Sequence, residues 1–150
     1  MTFEIAGRTL GAGHPTFLVA ELSANHRQDL DVAKALVKAA ADAGADALKL
    51  QTYTADTITL DCSSAPFMID GDSPWAGRRL HDLYREAHTP WEWHAELAAL
   101  AQERGLVWFS SPFDDTAVDF LEELNAPAYK VASFELVDLP LLRHIASTGK

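Results

Sequence analysis

The sequence holds a single cysteine, Cys62, in 150 residues. One thiol cannot close an internal disulfide, which fits a reducing compartment and leaves this cysteine no expected catalytic role. Basic residues are also scarce: 12 Lys and Arg stand against 22 Asp and Glu, a formal net charge of −10. So acidic a chain repels phosphate backbones and anionic lipid headgroups at long range, which argues against non-specific binding to nucleic acid or membrane. It does not exclude one small anion held by a few local lysines. No apolar run is long enough to span a bilayer, and the first residues lack the basic-then-apolar order of a secretory signal. A cytoplasmic location is therefore expected. What the chain does have is apolar side chains, 48% of the total, enough to bury a sizeable core.

Four short apolar runs, residues 16–21, 46–51, 106–111 and 128–133, read as buried strands that turn polar at their C-terminal ends. Continuous rather than alternating hydrophobicity is expected where both faces of a sheet are covered, as in parallel sheets. Helices lie between them. Asp29 is placed to cap a helix with an apolar stripe at Ala33, Leu36, Val37 and Ala40, and Gly44 supplies its left-handed stop. Thr89-Pro90-Trp91-Glu92 has the form of a capping box for a helix running to Arg104 and Gly105. A third helix starts at Asp114 or Asp115 and stops at Asn125, and a fourth covers Leu139 to Ser147. The opening residues read as a small hairpin around Ala6-Gly7-Arg8. Residues 52–79 show no helical period yet carry Phe67, Met68 and Trp75, the pattern of a substrate-covering loop.

Helix, tight turn and buried strand recur three times, which implies βαβ units and a parallel sheet. Open doubly wound sheets and closed barrels both satisfy that pattern. Polar groups at nearly every strand end favour the barrel, in which strand ends share one rim. Glu21, Lys49, Gln51, Ser110, Ser111, Lys130, Ser133 and Glu135 would meet there. Lysine is seldom buried without a partner. Lys49 and Lys130 thus call either for structural ion pairs with Glu21 and Glu135 or for a phosphorylated, carboxylated small molecule. The neighbouring serines and glutamine favour the ligand, because hydroxyls add neutral donors to the two point charges. Glu21 and Glu135 suit proton acceptance or hydroxyl binding. His26 precedes a helix, where capping or packing competes with substrate contact. His81, His88 and His94 lack metal-ligand spacing, and Trp91, Trp93 and Phe120 are expected to fill the helix layer.

The motifs AELSANH (20–26), AGADALKLQTYTADTITL (43–60), YREAHTPWEWH (84–94), FSSPFDDTAVDFLEEL (109–124) and PAYKVASFEL (127–136), with DLPL (138–141) following, resemble the sialic acid synthase family. The second and third of them lean toward its pseudaminic branch. The resemblance implies an α/β fold, a (β/α)8 TIM barrel, of which residues 1–150 would be the N-terminal half: about four βα units plus an N-terminal hairpin. The rest of the barrel and a C-terminal antifreeze-like domain would lie outside this chain. It further implies condensation of phosphoenolpyruvate with an acetamido sugar, 2,4-diacetamido-2,4,6-trideoxy-L-altrose in the pseudaminic branch, to a nine-carbon 2-keto acid and phosphate. By motif position Lys49, Ser111, Lys130 and Ser133 would bind phosphoenolpyruvate. Glu21, Gln51 and Glu135 would serve the reaction centre, with Asn25, His26 and Tyr53 as candidate sugar contacts. A divalent ion, Mn2+ or Mg2+, would be held by ligands beyond residue 150, and the longer protein would form a homodimer. Alternatives are the N-acetylneuraminate or legionaminic acid branch, a class I aldolase that uses a strand-end lysine for a Schiff base, and a half-barrel that only binds a ligand or partner.

Overall fold

In the computed structural model, which describes residues 2–150, a two-residue turn at Ala6 and Gly7 opens the chain, both with positive φ (51° and 76°). That geometry matches the twist of a tight hairpin, and it joins β1 (Thr2–Ile5) to β2 (Arg8–Gly11) as an antiparallel pair. Arg8 reaches Asp46 at the start of the next sheet, and the Leu18 N–H donates to the same carboxylate at 2.7 Å. These contacts, the backbone bond before the arginine, hold the Asp46 carboxyl below its ordinary value.

The second sheet is parallel, in the order β3 (Val19–Glu21), β4 (Ala47–Thr52), β5 (Val107–Pro112). Between β3 and β4 runs α1 (Leu30–Asp42). Its first turn is capped as predicted by the Asp29 carboxylate, which accepts from Asp31 N at 2.8 Å and Val32 N at 3.2 Å. Between β4 and β5 come α2 (Ala55–Ile58), α3 (Leu80–Ala87) and α4 (His94–Glu103). After β5 follow α5 (Asp115–Glu123), capped by Asp114, and α6 (Leu139–Ser147), capped by Asp138.

Three of these helices stop in the same way. After α1 the Ala45 N–H reaches the Ala40 carbonyl and Gly44 reaches Ala41; after α4 Leu106 reaches Ala101; after α5 Ala126 reaches Leu121. Each is the six-residue closure that needs a left-handed residue. Gly44 (82°), Gly105 (77°) and Asn125 (56°) occupy those positions. The chain therefore turns from helix toward strand at a defined residue each time, and the apolar run that follows enters the core.

Side chains alternate across the sheet. Leu48, Leu50 and Trp108 on one face pack with Ala33, Val37, Leu97, Ala101 and Leu121 in the main apolar cluster. The opposite face carries Glu21, Lys49, Gln51 and Ser111. No helix among the described residues is long and apolar enough to cross a membrane.

Three expectations require correction. The buried strand expected over residues 16–21 forms only over Val19–Glu21 and is largely exposed, because among the described residues it pairs on one side only, with β4. Residues 128–133 form no strand: one bridge, Ser110 to Tyr129, and one bond from Lys130 N to the Ser110 carbonyl (3.0 Å) join them to β5. Beyond that the chain turns into the 3-10 turn Phe134–Val137, so the ladder has no length over which to build. The capping box at Thr89 is also absent. Residues Trp91–Trp93 make a 3-10 turn before α4, and no side chain caps either. The Thr89 hydroxyl is engaged by His26, because a buried imidazole needs a partner more than a solvated helix end does.

Candidate active site

Parallel register sets the site. Glu21 lies opposite Lys49, and Gln51 opposite Ser111. The Lys49 ammonium, 9% exposed, sits 2.7 Å from Glu21 Oε1, and the Gln51 amide donates to the same oxygen at 2.9 Å. One carboxylate oxygen thus gathers two strand ends. Ser111 lies one register step further along; its Oγ is buried and has no hydrogen-bond partner among the described residues. Glu135 Oε2 is in the same condition. Two orphaned polar atoms among the predicted site residues matter, because leaving a buried polar group unpaired costs about 1–3 kcal/mol and folds rarely tolerate it without a use.

Lys130 departs from expectation. It is exposed, not buried in a strand, and it makes no ion pair with Glu135 among the described residues. The alternative of two structural ion pairs therefore holds for Lys49 alone. The single bridge to β5 still carries Lys130 to the Ser111 face by alternation. Ser133, also exposed, lines a cavity of about 300 Å3 with Gln51 and Tyr53. Asn25 lines a different cavity, between β3 and α1.

His26 takes the packing role. It is fully buried and stands edge-on to Trp93, with centroids 5.4 Å apart. Its Nδ1 accepts from Gln28 N at 3.1 Å, so the neutral ring carries its proton on Nε2 and donates to Thr89 at 3.3 Å. Both nitrogens are occupied, which corrects its place among the sugar contacts. Burial, and then His88, lower its pKa. This buried ring braces the turn after Glu21, where Ser23, Arg27 and Gln28 all take positive φ (49°, 54° and 56°). Such strain persists only where surrounding contacts over-determine it. The Gln28 amide adds two, donating to the Glu86 and His88 carbonyls.

Behind the strand ends lies a polar relay that sequence reasoning missed. His94, fully buried, faces the Pro90 carbonyl through Nδ1 (3.2 Å) and the Thr52 hydroxyl through Nε2 (2.9 Å). A carbonyl only accepts, so Nδ1 carries the proton and Nε2 accepts from Thr52; Thr52 then accepts from Ser110 at 2.7 Å. Burial pushes the His94 pKa down to about 4. Thr52 adjoins Gln51 and Ser110 adjoins Ser111, so the relay ties the ends of β4 and β5 to α4. The available signal was a polar residue at the inward position of each strand, paired with a histidine that metal spacing left unexplained. Trp91 and Phe120 stack at 4.8 Å in the helix layer, as expected. Among the described residues no group of three or more His, Cys, Asp or Glu side chains could hold a metal ion.

Parallel strands bearing a lysine, a carboxylate, an amide and hydroxyls at one end define a class, an α/β protein with a polar candidate site at its strand ends. The chain belongs to the NeuB family, whose model matches residues 36–150. It is 52% identical to pseudaminic acid synthase of Helicobacter pylori over 91% of this chain and 40% of that protein. It is 47% identical to pseudaminic acid synthase of Campylobacter jejuni over 89% and 39%. The fold is similar to the crystal structure of an N-acetylneuraminic acid synthetase from Leptospira borgpetersenii (TM-score 0.83, 24% identity, 99% of this chain and 47% of that one). The chain spans about 40% of the length of the Helicobacter relative.

Proposed function

We propose that this chain supplies the first strands of a (β/α)8 barrel in a phosphoenolpyruvate-dependent nonulosonic acid synthase of the pseudaminic type. The strand order runs β3-β4-β5 without reversal, and the helices of the main core cover one face while the other carries the polar groups. A closed barrel uses its sheet in that way. The observation that carries the chemistry is the Glu21–Lys49–Gln51 cluster beside the unpartnered, buried Ser111 hydroxyl.

In this proposal the phosphate and carboxylate of phosphoenolpyruvate meet Lys49, Lys130, Ser111 and Ser133, point charges supplemented by neutral donors. The acceptor is 2,4-diacetamido-2,4,6-trideoxy-L-altrose in its open-chain form. Carbon 3 of phosphoenolpyruvate forms the new bond to the aldehyde carbon, whose oxygen gains a proton and becomes a hydroxyl. Water adds at carbon 2, with Glu135 positioned to take its proton. Phosphate then leaves with cleavage of the C–O bond, giving the nine-carbon 2-keto acid. Gln51 and Glu21 orient the acceptor. A divalent ion belongs here to ligands outside residues 2–150; the location is cytoplasmic, and the full-length protein is a homodimer. The Lys49–Glu21 ion pair opposes imine chemistry at Lys49, because that nitrogen is already engaged by a carboxylate. The test is phosphate release from phosphoenolpyruvate by the full-length protein with each candidate sugar, the product detected with thiobarbituric acid. Release with the 2,4-diacetamido sugar above all others supports the proposal. A borohydride-trapped adduct without phosphate release would replace it by the aldolase.

A further inference from the structure

The segment HTPWEWH (88–94), the turn between α3 and α4, has no part in the proposed chemistry, yet three strand ends meet on it. From β3, the His26 ring donates to the Thr89 hydroxyl at 3.3 Å and lies edge-on to Trp93, while the Gln28 amide donates to the His88 carbonyl. From β4, Thr52 donates to His94 Nε2 at 2.9 Å, and the Tyr53 carbonyl accepts from the Trp91 indole at 3.2 Å. From β5, Ser110 joins through Thr52 at 2.7 Å. The segment is itself held from behind: Trp91 stacks on Phe120, and His94 meets the same ring edge-on at 5.4 Å. Tyr53 is fixed on its other side by Tyr84 and Phe113, edge-on at 5.7 and 5.4 Å.

Each anchored residue stands close in the chain to one assigned to the reaction centre. Thr52 follows Gln51, Ser110 precedes Ser111, and His26 lies in the turn that leaves Glu21. Alternation turns Thr52 and Ser110 toward the helices, away from the site, so neither meets a substrate. Nor does the relay carry a proton to one. Its donors run one way, Ser110 to Thr52, while His94 donates from its other nitrogen to the Pro90 carbonyl, which takes no proton. Burial keeps the His94 ring neutral, with a pKa of about 4. His26, Thr52, Thr89, His94 and Ser110 are at most 2% exposed, so no water competes for these bonds, and the network rigidifies what it joins. Its remaining use is to fix distance.

We infer that the 88–94 turn is a positioning hub that sets Glu21, Gln51 and Ser111 in one geometry by clamping the strand ends behind them, with Thr52 and Trp91 as positioning residues for the condensation. The inference rests on the synthase function proposed above. There Gln51 and Ser111 hold different reactants, so a small shift between β4 and β5 separates the two reacting carbons. Charge attraction to Lys49 tolerates such a shift, whereas bond formation does not: a displacement of about 1 Å set off far from the chemistry can cost about 100-fold in rate. The test uses the full-length protein, with kcat expressed per phosphoenolpyruvate-binding site counted by calorimetry. Unfolded molecules contribute no sites, so a role in stability alone leaves that number unchanged. Thr52→Val should lower kcat per site by about 10- to 100-fold while KM for phosphoenolpyruvate moves less than about threefold. Thr52→Ser keeps the hydroxyl and should stay within about threefold of the parent in kcat per site. Trp91→Phe keeps the stack on Phe120 and removes only the bond to Tyr53; it should lower kcat per site by about 3- to 10-fold, and it decides the matter where Thr52→Val does not fold. Parental kcat per site in Thr52→Val or in Trp91→Phe, equal losses in Thr52→Val and Thr52→Ser, or a rise in KM as large as the fall in kcat overturns the hub and leaves the synthase standing. A parental protein that releases no phosphate from phosphoenolpyruvate with any sugar overturns the synthase, and the hub falls with it.

Discussion

Thr52→Val isolates the buried relay. Valine has almost the shape of threonine, so the substitution opens no cavity and removes only the hydroxyl. Two contacts disappear, one to His94 Nε2 at 2.9 Å and one from Ser110 at 2.7 Å. Both surviving groups belong to residues with no solvent exposure, so neither regains a water. An orphaned buried group costs about 1–3 kcal/mol, and relieving Thr52 of its own desolvation returns roughly one of these. The expected net loss is about 1–3 kcal/mol. For a domain of this size that lowers Tm by roughly 2–12 °C. Urea unfolding followed by the fluorescence of the four tryptophans measures it, provided the slope with denaturant is unchanged. Adding Ser110→Ala removes one orphan, so the double variant should be more stable than the sum of the single losses by about 1 kcal/mol. Thr52→Val at parental stability, or strict additivity of the pair, would refute the relay.

Acid sensitivity should begin well above the carboxylate range. His94 and His26 are neutral in the fold and bind protons more readily once unfolded, so stability falls as pH drops below about 6.5. For His94, a change from 6.5 to about 4 is worth about 3 kcal/mol, lost progressively across that interval. Urea midpoints that stay flat between pH 6.5 and 4.5 would contradict this. Asp46, Asp82 and Glu122 have lowered values, so their contributions are present above their ordinary carboxylate range and are lost only below it. Gly44→Ala should cost about 1 kcal/mol from backbone strain alone, since φ is 82° and nothing lies within 4 Å of an added Cβ; a neutral urea midpoint would exclude the helix stop described here. On the proposed function, Lys49→Met in the full-length protein should weaken phosphoenolpyruvate binding by about 10- to 100-fold through loss of one charge-assisted contact of roughly 1.5–3 kcal/mol. Calorimetry showing unchanged affinity would remove Lys49 from the proposed phosphate contacts.

Local chemistry made much of this protein legible before any coordinates. Asp29 and Asp114 announced helix starts, and Gly44, Gly105 and Asn125 announced the stops, because capping and left-handed backbone depend on residues a few positions apart. Continuous apolar runs announced β4 and β5 for a similar reason, and polar residues do stand at their ends. Thr89 misled because its capping signature is local, while its actual partner, His26, lies 63 positions away. Residues 128–133 misled because strand propensity cannot report whether a neighbouring ladder is long enough to hold them.

By itself, then, the sequence determined where most helices begin and end, that β4 and β5 are buried, and that polar residues stand at their ends. Tertiary structure alone decided how those residues divide between the two faces in three dimensions. It joined Lys49 and Gln51 through one oxygen of Glu21, sent Thr52 and Ser110 back to His94, exposed Lys130, and brought Tyr84 and Phe113 to Tyr53. The physical reason is range. Backbone propensity and capping act within a few residues, whereas burial, ion pairing and ring packing act between side chains that only the register of a sheet and the packing of its helices can bring together.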